Sequence, residues 1–282
     1  MLERRPYLDL LTYTVLTLGV IIIAFPVYLT VVASTMSAEQ ILAVPMPVLP
    51  GGHFIENIRT VLGRGVGESA NPVGTMMWNS FIMAMGIAVG KISISILSAF
   101  AVVYFRFPFR RLCFWMIFIT LMLPIEVRIM PTYQVVSDLG MLNSYGGLII
   151  PIIASATATF LFRQFFMTVP DELTEAARID GAGPLRFFKD ILLPLSRTTI
   201  AALFVIQFIY GWNQYLWPLL ITTDKSLSPV VVGVTQMISR SGDAATDWNL
   251  VMTAATLAML PPALVVLLMQ RWFVKGLVDS EK

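Results

Sequence analysis

Charge is what this chain has least of. Only 13% of its 282 residues are Asp, Glu, Lys or Arg, while 57% are hydrophobic and the mean hydropathy is +0.78. A soluble domain averages about 25% charged residues. A soluble chain this apolar would have nowhere to put its surface, so the expected class is an all-α polytopic membrane protein. Cysteine is almost missing: Cys113 stands alone, which excludes a disulfide within the chain and any cysteine-cluster metal site. The lone histidine, His53, lies in a Pro/Gly-rich stretch where a solvated side chain is the ordinary reading. A net charge of +2 with no basic run gives no footing for nucleic acid. There is no H-E-x-x-H, no G-x-S-x-G and no Walker A. No catalytic residue, metal ligand or bound cofactor is therefore nominated. If ATP drives this chain, another chain must hydrolyse it.

What is present is a series of apolar stretches, at about 11–34, 75–104, 112–131, 146–166, 199–222 and 250–271. Crossing a bilayer takes roughly 20 residues, so six transmembrane helices in one domain, 1–282, are expected. The first stretch is too long for a signal-peptide core and no A-x-A site closes it, so it reads as a retained span, kinked at Pro26. The second is long enough to protrude or tilt. Its Gly86 and Gly90 form a GxxxG pair that permits close helix contact. Gly90-Lys91 has neither the spacing nor the following Ser/Thr of a phosphate-binding loop. Between the first two spans, about 35–74 is rich in Pro and Gly. It suits either contact with a delivery protein or a solvated connector with a short helix near Phe54–Leu62.

Orientation follows from the basic residues. One set of loops holds Arg4, Arg5, Arg106, Arg110, Arg111, Arg178, Arg186, Lys189, Arg197, Lys275 and Lys282. The opposite set holds Arg59, Arg64, Lys225 and Arg240 over a greater length. The positive-inside rule puts both termini, and the connector 168–194, in the cytoplasm.

That connector, TVPDELTEAARIDGAGPLRFFKDILLP, is a long polar interruption that also reads as ordered helix. Thr168 can cap a helix, Pro170 suits its first turn, and Asp171, Glu172 and Glu175 sit at the positive end of the helix dipole. Gly181 reads as a helix stop, and Gly183-Pro184 as the start of a second short helix. A glycine elbow between short helices suits docking of a soluble partner; an ordinary amphipathic connector is the plainer alternative.

Charged residues inside spans are costly and are candidates for function. Lys91 lies near the middle of the second span; Glu126 and Arg128 lie near the outer end of the third. Snorkelling or pairing would explain Arg128, although residues two apart do not share a helix face. Lys91 is harder to place at an interface, which favours an anion site or a buried carboxylate partner. Trp212, Asn213 and Gln214 put indole and amide groups part-way through the fifth span, suited equally to hydroxylated solutes and to interhelical hydrogen bonds.

Glu175-Ala176-Ala177, Asp180-Gly181-Ala182, Ile191 and Leu193-Pro194 resemble the EAA loop of ABC importer permeases. With FIYGWNQYLWPLL and six spans, nearly the whole chain is similar to the maltose-type family of binding-protein-dependent permeases, which implies the type I importer fold. Phe114–Thr132, Ser155–Leu173 and Gly276–Lys282 resemble the members that import sn-glycerol-3-phosphate and glycerophosphodiesters. Lys91 and Arg128 depart from the sugar permeases in a way that fits an anion. The resemblance implies a bacterial inner-membrane subunit paired with a second permease. Two copies of a cytoplasmic ATPase sit below, and a periplasmic binding protein delivers substrate. ATP is used by the partners and no covalent chemistry occurs on this subunit. It implies that Glu175, Ala176, Ala177, Asp180, Gly181 and Arg186 serve ATPase coupling. The substrate path is expected to draw on Lys91, Glu126, Arg128, Trp212, Asn213 and Gln214. A neutral-sugar permease, and then a secondary transporter driven through Lys91, Glu126 and Arg128, are the alternatives.

Overall fold

The computed structural model describes residues 6–63, 71–120, 125–239 and 247–278. Among them every regular element is helical: α1 Pro6–Ala33, α2 Ala38–Ile41, α3 Phe54–Gly63, α4 Val73–Tyr104, α5 Arg110–Ile119, α6 Ile125–Asp138, α7 Tyr145–Ile149, α8 Ala156–Met167, α9 Asp171–Ile179, α10 Pro184–Phe187, α11 Leu193–Leu195, α12 Arg197–Trp212, α13 Leu216–Ile221, α14 Val230–Ser239 and α15 Trp248–Val278.

Three helices among the described residues are long and apolar enough to cross a membrane: Tyr7–Ala33, Val73–Tyr104 and Trp248–Arg271. Two further pairs qualify as bent spans. Tyr145–Ile152 meets Ala156–Met167 at 48°, and Pro184–Leu195 meets Arg197–Trp212 at 71°. Each break has a local cause. In the first pair Ser155 restarts the helix by accepting a hydrogen bond from the Ala158 amide at 3.3 Å. In the second, Pro194 has no N–H for the Asp190 carbonyl, and the chain passes through a π-helix, Phe188–Leu192, on the way in. The stretch expected as one third span is occupied by α5 and α6, with 121–124 outside the described residues. The stretch expected as the fifth breaks after Trp212 and resumes at Leu216. There Pro218 lacks an N–H for the Gln214 carbonyl.

The described residues fall into two compact units. The first comprises those up to Gly74 with those of Gly233–Met259. Its α1 is apolar on every side and largely bare; Tyr7, Ile22 and Ile23 are each at least 70% exposed. Apolar surface of this extent belongs against lipid or another helix. The unit's interior is held by amides. Asn57 Nδ2 donates to the Ser34 and Met36 carbonyls, both at 2.9 Å, and Asn249 Nδ2 donates to Asn57 Oδ1 at 3.2 Å. The expected helix near Phe54–Leu62 is present as α3.

The second unit runs from Thr75 to Val232 and includes the described residues from Leu260 onward. One core cluster joins α4 to α8, α9, α10 and α12 through Phe100, Phe162, Phe166, Ala177, Phe187 and Leu203. Another gathers Met83, Ile87, Ile129, Leu148, Trp217 and Ile221. Glycines make the close approaches. A Cβ on Gly86 would stand 2.6 Å from Ile149 Cδ1, one on Gly90 2.5 Å from Ile153 Cγ2, and one on Gly211 2.8 Å from Ala84 Cα. The GxxxG pair therefore receives two isoleucines four residues apart, on one turn-and-a-bit of chain.

Candidate coupling elbow and candidate anion cavity

The connector folds as two short helices around Gly181. Helix α9 ends with Gly181 at φ +70°. The Gly181 amide donates to the Arg178 carbonyl at 3.0 Å and the Ala182 amide to the Ala177 carbonyl at 2.8 Å. These two bonds form a Schellman closure, which needs a left-handed residue and so favours glycine. Pro184 opens α10 at its first position, as expected. The expected cap is different. Thr168 terminates α8, its hydroxyl donating to the Phe165 carbonyl at 2.7 Å, and Pro170 occupies the N-cap position of α9 without a side-chain bond. Thr168 follows directly on the last turn of α8, so its hydroxyl finds that turn's carbonyl before the next helix begins.

One side of the elbow is anchored. Ala177 and Phe187 are buried, and the Phe187 ring lies 5.3 Å from Tyr104 at the end of α4. The other side is bare. Glu175, Ala176, Asp180 and Gly181 are exposed; Arg186 is exposed too and pairs with Asp190 at 3.5 Å. Ile179 is 86% exposed and Leu185 77%. The sequence reading passed over these two. Their signal was an apolar residue on each flank of the Gly181–Pro184 turn, in a segment otherwise polar. A protruding apolar pair rimmed by carboxylates is the composition of a docking surface.

The second constellation is a cavity of about 150 Å³ inside the second unit. Lys91 and Arg128 both border it, with Thr132, Tyr210, Gln214 and Trp217. Lys91 is only 6% exposed, and its Nζ stands 3.6 Å from the centre of the Tyr210 ring. Among the described residues no carboxylate pairs with Lys91 or Arg128. The Trp217 indole N–H is already given to the Gly147 carbonyl at 3.1 Å, so this residue offers the cavity a face and no donor. Gln214 Nε2 donates to the Tyr210 carbonyl at 3.2 Å, leaving Oε1 as an acceptor. Thr132 Oγ1 donates to the Arg128 carbonyl at 2.7 Å and keeps its lone pairs.

Of the residues nominated for a substrate path, Lys91, Arg128 and Gln214 thus meet in one cavity. Trp212 does not line it: it is buried and stacks on Phe208 at 5.9 Å. Asn213 is exposed and terminates α12. The Glu126 side chain lies outside the described residues. Tyr210 and Thr132 were not nominated. Each sits four residues from one that was: Thr132 after Arg128 on the same face of α6, and Tyr210 in the last turn of α12 before Gln214, which lies just beyond the helix and bonds back to the Tyr210 carbonyl.

A family described as the binding-protein-dependent transport system inner membrane component matches residues 91–279. Over its full length the chain is 61% identical to the sn-glycerol-3-phosphate transport system permease protein UgpE of Yersinia enterocolitica, all of which is covered. It is 60% identical, again over the whole of both chains, to the protein of the same name from Brucella melitensis biotype 1. Its fold matches a chain in the crystal structure of a bacterial ABC transporter involved in the import of the acidic polysaccharide alginate. The TM-score is 0.81, covering 95% of this chain and 96% of that one, at 19% identity.

Proposed function

Because the chain belongs to the family of binding-protein-dependent transport system inner membrane components, we propose that it is a permease subunit of an ATP-driven importer for sn-glycerol-3-phosphate. Six spans are part of this reading, with α5 and α6 together supplying the third. Both termini and the α9–α10 elbow face the cytoplasm, in keeping with the distribution of Lys and Arg. A second permease, two copies of an ATPase subunit and a periplasmic binding protein complete the machine, and ATP hydrolysis takes place on the ATPase.

The observation that carries the reading is the elbow. Gly181 closes α9 by backbone bonds alone, one face is locked against the end of α4, and the other presents Ile179 and Leu185 to solvent. Such an element passes on a push. A partner gripping Ile179 and Leu185, with Glu175 and Asp180 at the rim, moves Phe187 and hence the end of α4. It also moves the π-helix that leads into the 71° bend and α12. Two cations on one cavity suit an anionic cargo in the same unit.

The test is uptake of labelled sn-glycerol-3-phosphate at low external concentration by cells with and without the gene. Loss on deletion, restored by the intact gene and not by a Gly181→Val variant that still inserts in the membrane, is the expected result. Uptake indifferent to deletion overturns the substrate. Full uptake by the Gly181 variant overturns the coupling role.

A further inference from the structure

Lys91 poses a problem that the importer reading does not by itself solve. Burying an ammonium without a counter-charge is expensive, and buried charges are paired or hydrogen-bonded. Among the described residues Nζ meets an aromatic face, 3.6 Å from the Tyr210 centroid. A ring face gives a cation about 0.5–2 kcal/mol, less than a carboxylate would inside a cavity. A second cation, Arg128, borders the same space and adds repulsion. Among the described residues no carboxylate offsets the two cations, and an entering anion would.

Resting on the importer reading above, we infer that this cavity is a phosphate-monoester site on this subunit itself. Lys91 and Arg128 hold the dianionic phosphate, and Gln214 and Thr132 accept from the hydroxyls of the attached polyol. The polar atoms divide as such a ligand requires. The cations supply donors only, and the Arg128 fork matches two phosphate oxygens. Gln214 Oε1 and Thr132 Oγ1 offer acceptors: the one Thr132 hydroxyl proton goes to the Arg128 carbonyl, and Gln214 gives one of its two N–H groups to the Tyr210 carbonyl and keeps the other as a donor. Trp217 provides an apolar wall with its N–H already occupied. Tyr210 is the resting place of Lys91, which swings from ring to phosphate when the ligand arrives. A phosphodiester carries one charge fewer and a second ester group, so the pair of cations favours monoesters over diesters.

The complete importer with its binding protein, reconstituted in ATP-loaded proteoliposomes, tests this with labelled sn-glycerol-3-phosphate and a labelled glycerophosphodiester. Lys91→Met and Arg128→Gln are each expected to lower monoester uptake at sub-saturating concentration by roughly 10- to 100-fold, the usual range for a hydrogen bond to a charged group. Diester uptake should fall less, narrowing the preference. Arg128 is exposed on its helix, so Arg128→Gln assembles even where Lys91→Met does not. Copurification of all subunits establishes assembly. An assembled Arg128→Gln complex with wild-type uptake and preference overturns the site and leaves the importer standing. A wild-type complex that moves no sn-glycerol-3-phosphate overturns the importer reading and the site with it. Equal losses for both substrates overturn the monoester selectivity.

Discussion

The Ala182 amide reaches back across Gly181 to the Ala177 carbonyl, 2.8 Å away. Ala177 and Ala182 both pack in the core cluster that holds Phe100 and Phe187. The two alanines thus make the polar and the apolar half of one helix stop. That stop fixes the direction in which α10 leaves α9, and therefore where Ile179 and Leu185 stand.

Gly181 needs a left-handed backbone and nothing else, since no atom lies within 4 Å of the place of its Cβ. Gly181→Val should cost about 1–2 kcal/mol locally and Gly181→Asn less, because asparagine tolerates that region. Transport-coupled ATP hydrolysis by the purified complex should fall in the order Gly, Asn, Val. Equal rates for all three would separate the elbow's geometry from coupling.

Ile179 and Leu185 touch little in this chain, so Ile179→Asp and Leu185→Asp should leave membrane insertion and yield unchanged. If they are central to a docking surface, each should weaken ATPase retention by about 2 kcal/mol or more. Copurification of the ATPase with tagged permease across a dilution series reads this out. Undiminished capture would place the ATPase elsewhere.

Gly90→Ala drives a methyl group into Ile153. Overpacking of this kind costs about 1–3 kcal/mol. The double variant Gly90→Ala with Ile153→Ala should lose less than the sum of the two single variants, because the 2.5 Å contact is with Ile153 Cγ2, which alanine lacks. Thermal midpoints of the detergent-purified protein decide it: additive losses would show that the two residues do not meet.

Asn57 satisfies the Met36 carbonyl and shares the Ser34 carbonyl with the Thr253 hydroxyl, which lies 3.2 Å away. Asn57→Asp removes the donor and keeps the shape, leaving carbonyls facing a carboxylate. It should cost more than the 1–3 kcal/mol or so expected for simple loss of a partner in Asn57→Ala. Chemical denaturation in mixed micelles would rank the two. Parity would mean that the amide's donors are not in use.

Tyr210 holds Lys91 by its ring face until the ligand arrives, so Tyr210→Phe should keep the KM near wild type and Tyr210→Leu should lower it, by about 0.5–2 kcal/mol in apparent affinity. The KM for sn-glycerol-3-phosphate in proteoliposomes measures it. A large effect of Phe would assign the role to the hydroxyl.

What the sequence determined by itself is what rests on short-range physics. Apolar content read along the chain excluded a soluble domain, and it located α1, α4 and α15 because crossing a bilayer is a matter of consecutive residues. The elbow was legible because a helix stop is written in four or five adjacent residues, and the glycine and proline sat where backbone geometry demands them. Even there, Thr168 went to the preceding helix, because a hydroxyl bonds to whichever carbonyl is nearer. Lys91, Arg128 and Gln214 stood out singly, as charge and amide in apolar surroundings. Only the tertiary structure joined them. It put α4, α6 and α12 around one space, turned Tyr210 under Lys91, and sent Trp212 and Asn213 away from the cavity. Side-chain direction after a helix break depends on how the broken ends pack, and no local pattern in the chain carries that information.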